Sequence, residues 1–219
     1  MKRRFLLAAL ALFATLPAAW ATPEEDAVDY FRAIPLDNVR AVKEVLARGL
    51  DPNLRQPGTG ETGLILAMRY NANKTLDVLL AQPAINLELR APNGNTALMM
   101  AAFNHNMRGV QTLVARGAQV NQTGWTALHY SAAAGDTEIT DFLLEHHAYI
   151  DCESPSGMTP LMIAAREGKD EVVRQLLAAG ADASVKDGGF HLTAAEFALK
   201  YDKPWIADTI KAYLKSHKQ

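Results

Sequence analysis

The hydrophobic positions of this chain fall into a recurring pattern. Five strings of small and apolar residues each open on a threonine: TGLILAM at Thr62, TALMMAA at Thr96, TALHYSA at Thr126, TPLMIAA at Thr159 and TAAEFAL at Thr193. The intervals between these threonines are 34, 30, 33 and 34 residues. A period of that length marks a stack of helical units, each burying its apolar face against its neighbours. A threonine is a good helix N-cap, because its hydroxyl satisfies an unpaired amide of the first turn. Five residues further on stands a small side chain every time, Ala67, Ala101, Ser131, Ala164 and Ala198, which lets adjacent helices approach closely. Nine residues further on stand Asn71, His105, Gly135, Gly168 and Asp202. These types tolerate positive φ, so a tight helix-ending turn is predicted at each although the residues differ.

A second helix is predicted in every unit. Seventeen and eighteen residues after the threonines come Leu79-Leu80, Leu113-Val114, Leu143-Leu144, Leu176-Leu177 and Ile210-Lys211. The first four pairs read as the core side of a buried helix. The lysine of the last pair fits the end of a stack, where one face meets water. Loop signals then follow at Arg116-Gly117-Ala118, His147-Ala148 and Ala179-Gly180-Ala181-Asp182.

Thr159-Pro160-Leu161, with Ala164-Ala165, Gly168, Leu176-Leu177 and Gly180-Ala181-Asp182, resembles an ankyrin repeat. Gly124-Trp125-Thr126-Ala127-Leu128-His129 is similar to the same motif. The resemblance recurs five times and covers nearly all of the chain after residue 21. It implies an all-α solenoid of helix–turn–helix repeats with loop fingers. The signature is worn. The family's proline after the threonine persists only as Pro160, and its histidine only as His129, with Ile65, Met99, Met162 and Glu196 in its place. Those losses predict a weaker hydrogen-bond network between repeats. A half-match precedes the first clear repeat, with helices predicted over 24–34 and 36–48 and a loop at Gly49-Leu50-Asp51-Pro52-Asn53. The expected organisation is six units: an N-terminal cap at 22–53, inner repeats at 54–86, 87–121, 122–151 and 152–184, and a C-terminal cap at 185–219.

The first 21 residues follow another pattern. Lys2, Arg3 and Arg4 precede an apolar run over 5–16, Pro17 breaks it, and Ala19 and Ala21 are small residues of the kind a signal peptidase reads. The run is too short for a spanning helix, which takes ~20 residues. A secretory signal cleaved after Ala21 is expected, with a periplasmic location and no membrane span after cleavage. This leader holds three basic residues and no acid, so its removal takes the formal charge from −2 to −5. A mildly acidic chain has no general attraction for nucleic acid, which is not expected as a partner; the charge leans toward a basic protein. Cys152 is the single cysteine, so no internal disulfide forms and packing must hold the fold.

In the ankyrin family, partner contacts usually come from the residue before the threonine and from those seven and eight after it. Carried onto this chain, the resemblance implies Glu61, Arg69 and Tyr70; Asn95, Phe103 and Asn104; Trp125, Ala133 and Ala134; Met158, Arg166 and Glu167; Leu192, Lys200 and Tyr201. All but Glu61, Ala133, Ala134 and Leu192 form the candidate partner-binding set, because aromatic and arginine side chains dominate interface energetics. The long loop at 87–95, with Pro92 and Asn93-Gly94, is expected to project as a further contact element.

Catalytic signatures are missing from the sequence: there is no GxSxG, Walker loop, Rossmann fingerprint or paired CxxC. His146 and His147 are adjacent, and neighbours on a helix point about 100° apart, so they do not converge on one ion. Cys152 reads as one small residue replacing another. Asn73-Lys74-Thr75 and Asn121-Gln122-Thr123 match glycosylation sequons, with the threonines read as turn or cap residues. No catalytic residue, cofactor or metal is expected. The implied function is a non-enzymatic periplasmic scaffold that binds another protein through a concave surface. Resemblance to exported bacterial ankyrin-repeat proteins implies an accessory to an oxidative-stress enzyme, or an immunity or accessory protein for a secreted toxin or lipase. A haem or metal carrier is the alternative of another class.

Overall fold

The computed structural model describes residues 22–217, so the expected signal segment lies outside the described residues. Among them are twelve helices in six consecutive pairs: α1 (Pro23–Ala33) with α2 (Val39–Ala47), α3 (Gly63–Arg69) with α4 (Asn73–Leu80), α5 (Ala97–Phe103) with α6 (Met107–Ala115), α7 (Ala127–Ala134) with α8 (Thr137–Glu145), α9 (Pro160–Glu167) with α10 (Asp170–Ala178), and α11 (Ala194–Lys200) with α12 (Pro204–Ser216). From α3 to α11 the first helices of the pairs lie side by side, and from α2 to α12 the second helices form a parallel row behind them. The result is an all-α solenoid.

The backbone demands read from the sequence are met, except that the Thr126 hydroxyl lies 3.0 Å from the His129 ring Nδ1 and makes no cap bond to the backbone amide. The hydroxyls of Thr62, Thr96, Thr159 and Thr193 accept hydrogen bonds from the amides three residues on. Asn71, His105 and Asp202 sit at φ of 54°, 56° and 57°, and Gly135 and Gly168 at 82° and 78°. Ala67, Ala101, Ser131, Ala164 and Ala198 are all fully buried between helices. So are Leu79, Leu113, Leu143, Leu176 and Ile210 on the second helices, while Lys211 is exposed.

Three expectations need correction. The second helix of the N-terminal pair starts at Val39 rather than 36, because Asp37 turns the chain at φ 49° and Asn38 then caps the helix by accepting from the Ala41 amide. The loop at 87–95 does not project as a whole. Glu88 accepts from the Gln119 amide and the Gln122 side chain, and Arg90 donates to Gln122 Oε1 at 2.6 Å, so only Pro92 and Asn93 stand clear. In the sequons, neither threonine caps a helix, and the asparagines bond to neighbouring repeats instead, Asn73 Oδ1 accepting from the Asn106 side chain at 2.9 Å. Asn121 donates to the His147 carbonyl at 2.7 Å and accepts from the Tyr149 amide at 2.8 Å, as Asn53 does with Ala84 and Asn86. Thr75 is buried inside α4, and Thr123 is exposed.

Gly63 stands where the family has proline, and its neighbour explains it. Tyr30 is fully buried and donates its hydroxyl to the Pro52 carbonyl at 3.1 Å. A Cβ on Gly63 would overlap that hydroxyl. Gly63→Ala is therefore expected to destabilise the fold by about 1–3 kcal/mol through overpacking. Urea denaturation measures it, and an unchanged midpoint would mean that Tyr30 shifts without cost.

Candidate partner-binding surface

Positions four, seven and eight after a cap share one side of a helix. With the first helices side by side, the seventh positions form a row: Arg69, Phe103, Ala133, Arg166 and Lys200. Ala133 is the small member, and the space above it is a pocket of about 170 Å³. Phe103, Trp125, Tyr130, Ile163 and Arg166 wall it, with His129 beneath. The aromatic rings meet edge to face, at 6.0 Å for Phe103–Tyr130, 6.2 Å for Trp125–Tyr130 and 5.3 Å for Trp125–His129. This is the favoured geometry of aromatic quadrupoles, and it holds the walls in place without a ligand. Tyr130 is fixed further by donating its hydroxyl to Asn95 Oδ1 at 2.5 Å.

His129 ties the site to the next repeat. Its Nδ1 accepts from the Thr126 amide at 3.2 Å, which leaves Nε2–H to donate to the Met158 carbonyl at 2.9 Å. Burial pushes the imidazole down to about 4, so the ring is neutral at pH 7. Met99 and Met162 replace this histidine in other repeats. Their sulfurs still accept from the Thr96 and Thr159 amides, but a thioether has no N–H to reach the following repeat. Cys152 lies 3.3 Å from Thr126 Oγ1 and 3.7 Å from His129 Nδ1. Burial pushes its thiol up to about 11, so the thiol is protonated at pH 7.

The expected contact residues differ in where they lie and how exposed they are. Phe103, Trp125 and Arg166 meet at the pocket. Tyr70 is exposed toward the N-terminal end of the same face. Lys200 and Tyr201 are exposed toward the C-terminal end, with Lys200 Nζ 3.2 Å above the Phe190 ring. Arg69 and Asn104 are half-buried; Arg69 pairs with Glu61, and Asn104 donates to the Met100 carbonyl at 2.9 Å. Glu167 is exposed and accepts from Arg166 Nε at 2.8 Å. Asn95 and Met158 correct the expectation, because both are buried. The Asn95 amide is held by Tyr130 and Met100, and the Met158 carbonyl by His129, so both support the surface from below. Tyr130 and Ile163 escaped the sequence reading. Both occupy the fourth position after the cap, one turn before the seventh, and including that position would have found them.

Among the described residues no helix is long and apolar enough to cross a membrane. A family model described as ankyrin repeats, in three copies, matches residues 31–123 and again 109–187. The human "SH3 and multiple ankyrin repeat domains protein 2" is 34% identical over 169 residues, 75% of this chain and 9% of that protein. The human "Transient receptor potential cation channel subfamily A member 1" is 31% identical over 68% of this chain and 14% of its own length. The mouse "Nuclear factor NF-kappa-B p105 subunit" is 33% identical over 58% of this chain and 14% of its own length. This chain thus spans a small fraction of each of these relatives. Ankyrin repeats generally mediate protein–protein interaction, and this chain belongs to the ankyrin-repeat family.

Proposed function

We propose that the chain is an exported, non-enzymatic scaffold that binds another protein through the face formed by its first helices. The observation that carries this reading is the preformed aromatic pocket over Ala133, walled by Phe103, Trp125 and Tyr130. Aromatic groups and arginine in such a setting bury large areas at small entropic cost. The N-terminal pattern of basic residues, apolar run and small residues supports export to the periplasm. Within this reading, support of an oxidative-stress enzyme and masking of a secreted toxin or lipase differ in the partner that co-purifies.

Affinity capture from the native periplasm tests the proposal. Phe103 is 45% exposed, so Phe103→Ala is expected to keep the helical circular dichroism and to weaken capture by about thirtyfold, as removal of a hot-spot residue does. Trp125→Ala is expected to act in the same direction. Undiminished capture by both variants would refute the surface assignment. A stoichiometric chromophore or metal ion on the purified protein would favour a carrier instead.

A further inference from the structure

We propose that the Ala133 pocket receives an acidic segment of a partner protein bearing a bulky apolar side chain. The apolar group fills the space above Ala133, and a neighbouring carboxylate pairs with Arg166. This rests on the reading of that face as a binding surface and specifies what it selects.

Two observations point to this chemistry. The first is the lining. Its walls are aromatic edges and Ile163, and Arg166 carries the charge, since buried His129 is neutral. Arg166 is held in place by Glu167 on Nε and by Met158 Sδ at 3.7 Å on Nη1; its Nη2 has no partner among the described residues. A half-buried guanidinium with an open N–H at an apolar rim favours a carboxylate, because a charge-assisted bond there is shorter and less screened than at an open surface.

The second is the distribution of charge. The seventh-position row contains three cations and no acid, in a chain whose formal charge is −2. The acids close to this face are already engaged. Glu61 is buried against Arg69, Glu167 holds Arg166, and Glu196 accepts from the Thr193 amide. The acidic excess lies elsewhere, for example on α8, where Glu138, Asp141 and Glu145 are exposed. The Arg69–Glu61 and Arg166–Glu167 pairs compensate two of the row's cations, so what the pocket offers a bound segment is the open Nη2 donor of Arg166, with Lys200 further along the row, rather than a broad positive field.

Selection of random phage-displayed peptides on the wild-type protein tests the assignment. Enriched peptides are expected to place Asp or Glu beside Phe, Leu, Trp or Met. Their synthetic forms should lose about tenfold or more in affinity on Ala133→Leu, which fills the pocket, and on Arg166→Gln, and should bind more weakly as salt rises. Arg166→Glu should instead enrich peptides with Lys or Arg beside the apolar residue. If Ala133→Leu fails to fold, Arg166→Gln and Arg166→Glu carry the test by themselves. Enrichment of basic peptides on the wild type, acidic peptides indifferent to these variants, or no enrichment would each overturn the proposal. Basic peptides that still depend on Phe103 would leave the binding face standing and remove only its acidic preference. Peptides indifferent to Phe103→Ala as well would remove both.

Discussion

Leu143→Ala is expected to lower the free energy of unfolding by about 2–5 kcal/mol, the range for a fully buried leucine cut back to its Cβ. Leu143 is 0% exposed on α8, and its backbone carbonyl accepts from the Ala148 amide at 2.9 Å in the turn that ends the helix. The surroundings are poorly placed to close the cavity. This repeat already buries two hydroxyls, with Thr140 donating to Ser131 at 3.0 Å and Ser131 to the Leu128 carbonyl at 3.1 Å. Corresponding positions in the next repeat are Ala164 and Val173, which are wholly apolar. A shift of neighbouring groups into the gap would strain that buried pair of hydroxyls. In a solenoid each repeat is held only by its neighbours, so the loss falls on both flanking interfaces. Urea denaturation followed by circular dichroism measures it, and a negligible change in midpoint would contradict the placement of α8.

The second large effect is a dependence of stability on pH through His129. Its folded-state value, about 4, lies below the ordinary 6.5, because burial disfavours the imidazolium. Between these values the unfolded chain binds the proton and the folded chain does not. Stability from this source is complete above pH ~6.5, falls as the pH drops toward ~4 and levels off below it, with a total of about 3 kcal/mol. His129→Met copies what Met99 and Met162 do in their repeats. It is expected to remove this dependence and to lower stability at neutral pH, since the Met158 carbonyl loses its donor. Subtracting the variant's urea midpoints from those of the wild type isolates His129 from the carboxylates. Parallel curves for the two proteins across that interval would show that His129 does not titrate as placed.

The pH dependence of His129 bears on the binding face as well. His129 closes the floor of the Ala133 pocket and bonds to the repeat beyond it. Acidification that protonates this ring would weaken the joint at which Phe103, Trp125 and Arg166 are assembled. Binding at the pocket and stability near pH 5 are therefore expected to change together.

The sequence by itself determined the repeat, the helix starts and the helix ends. Those features are local: a hydroxyl three residues from an amide, or a residue able to hold positive φ, acts within its own turn. It is why Asn71, His105, Gly135, Gly168 and Asp202 could be aligned despite sharing no chemistry. Burial at intervals of one helical turn was legible for the same reason, as the five second-helix positions from Leu79 to Ile210 show. The tertiary structure alone decided the surface. Whether the residue before a threonine reaches solvent depends on what packs over it: Tyr130 of the following repeat for Asn95, and His129 of the preceding repeat with Arg166 of its own for Met158. The pocket likewise belongs to no single segment. It exists because Ala133 is small between Phe103 and Arg166, residues 63 positions' worth of chain apart in sequence but brought onto one face by stacking. Periodicity fixes which side of a helix turns inward, and only packing between repeats fixes how deep each side chain on that side lies.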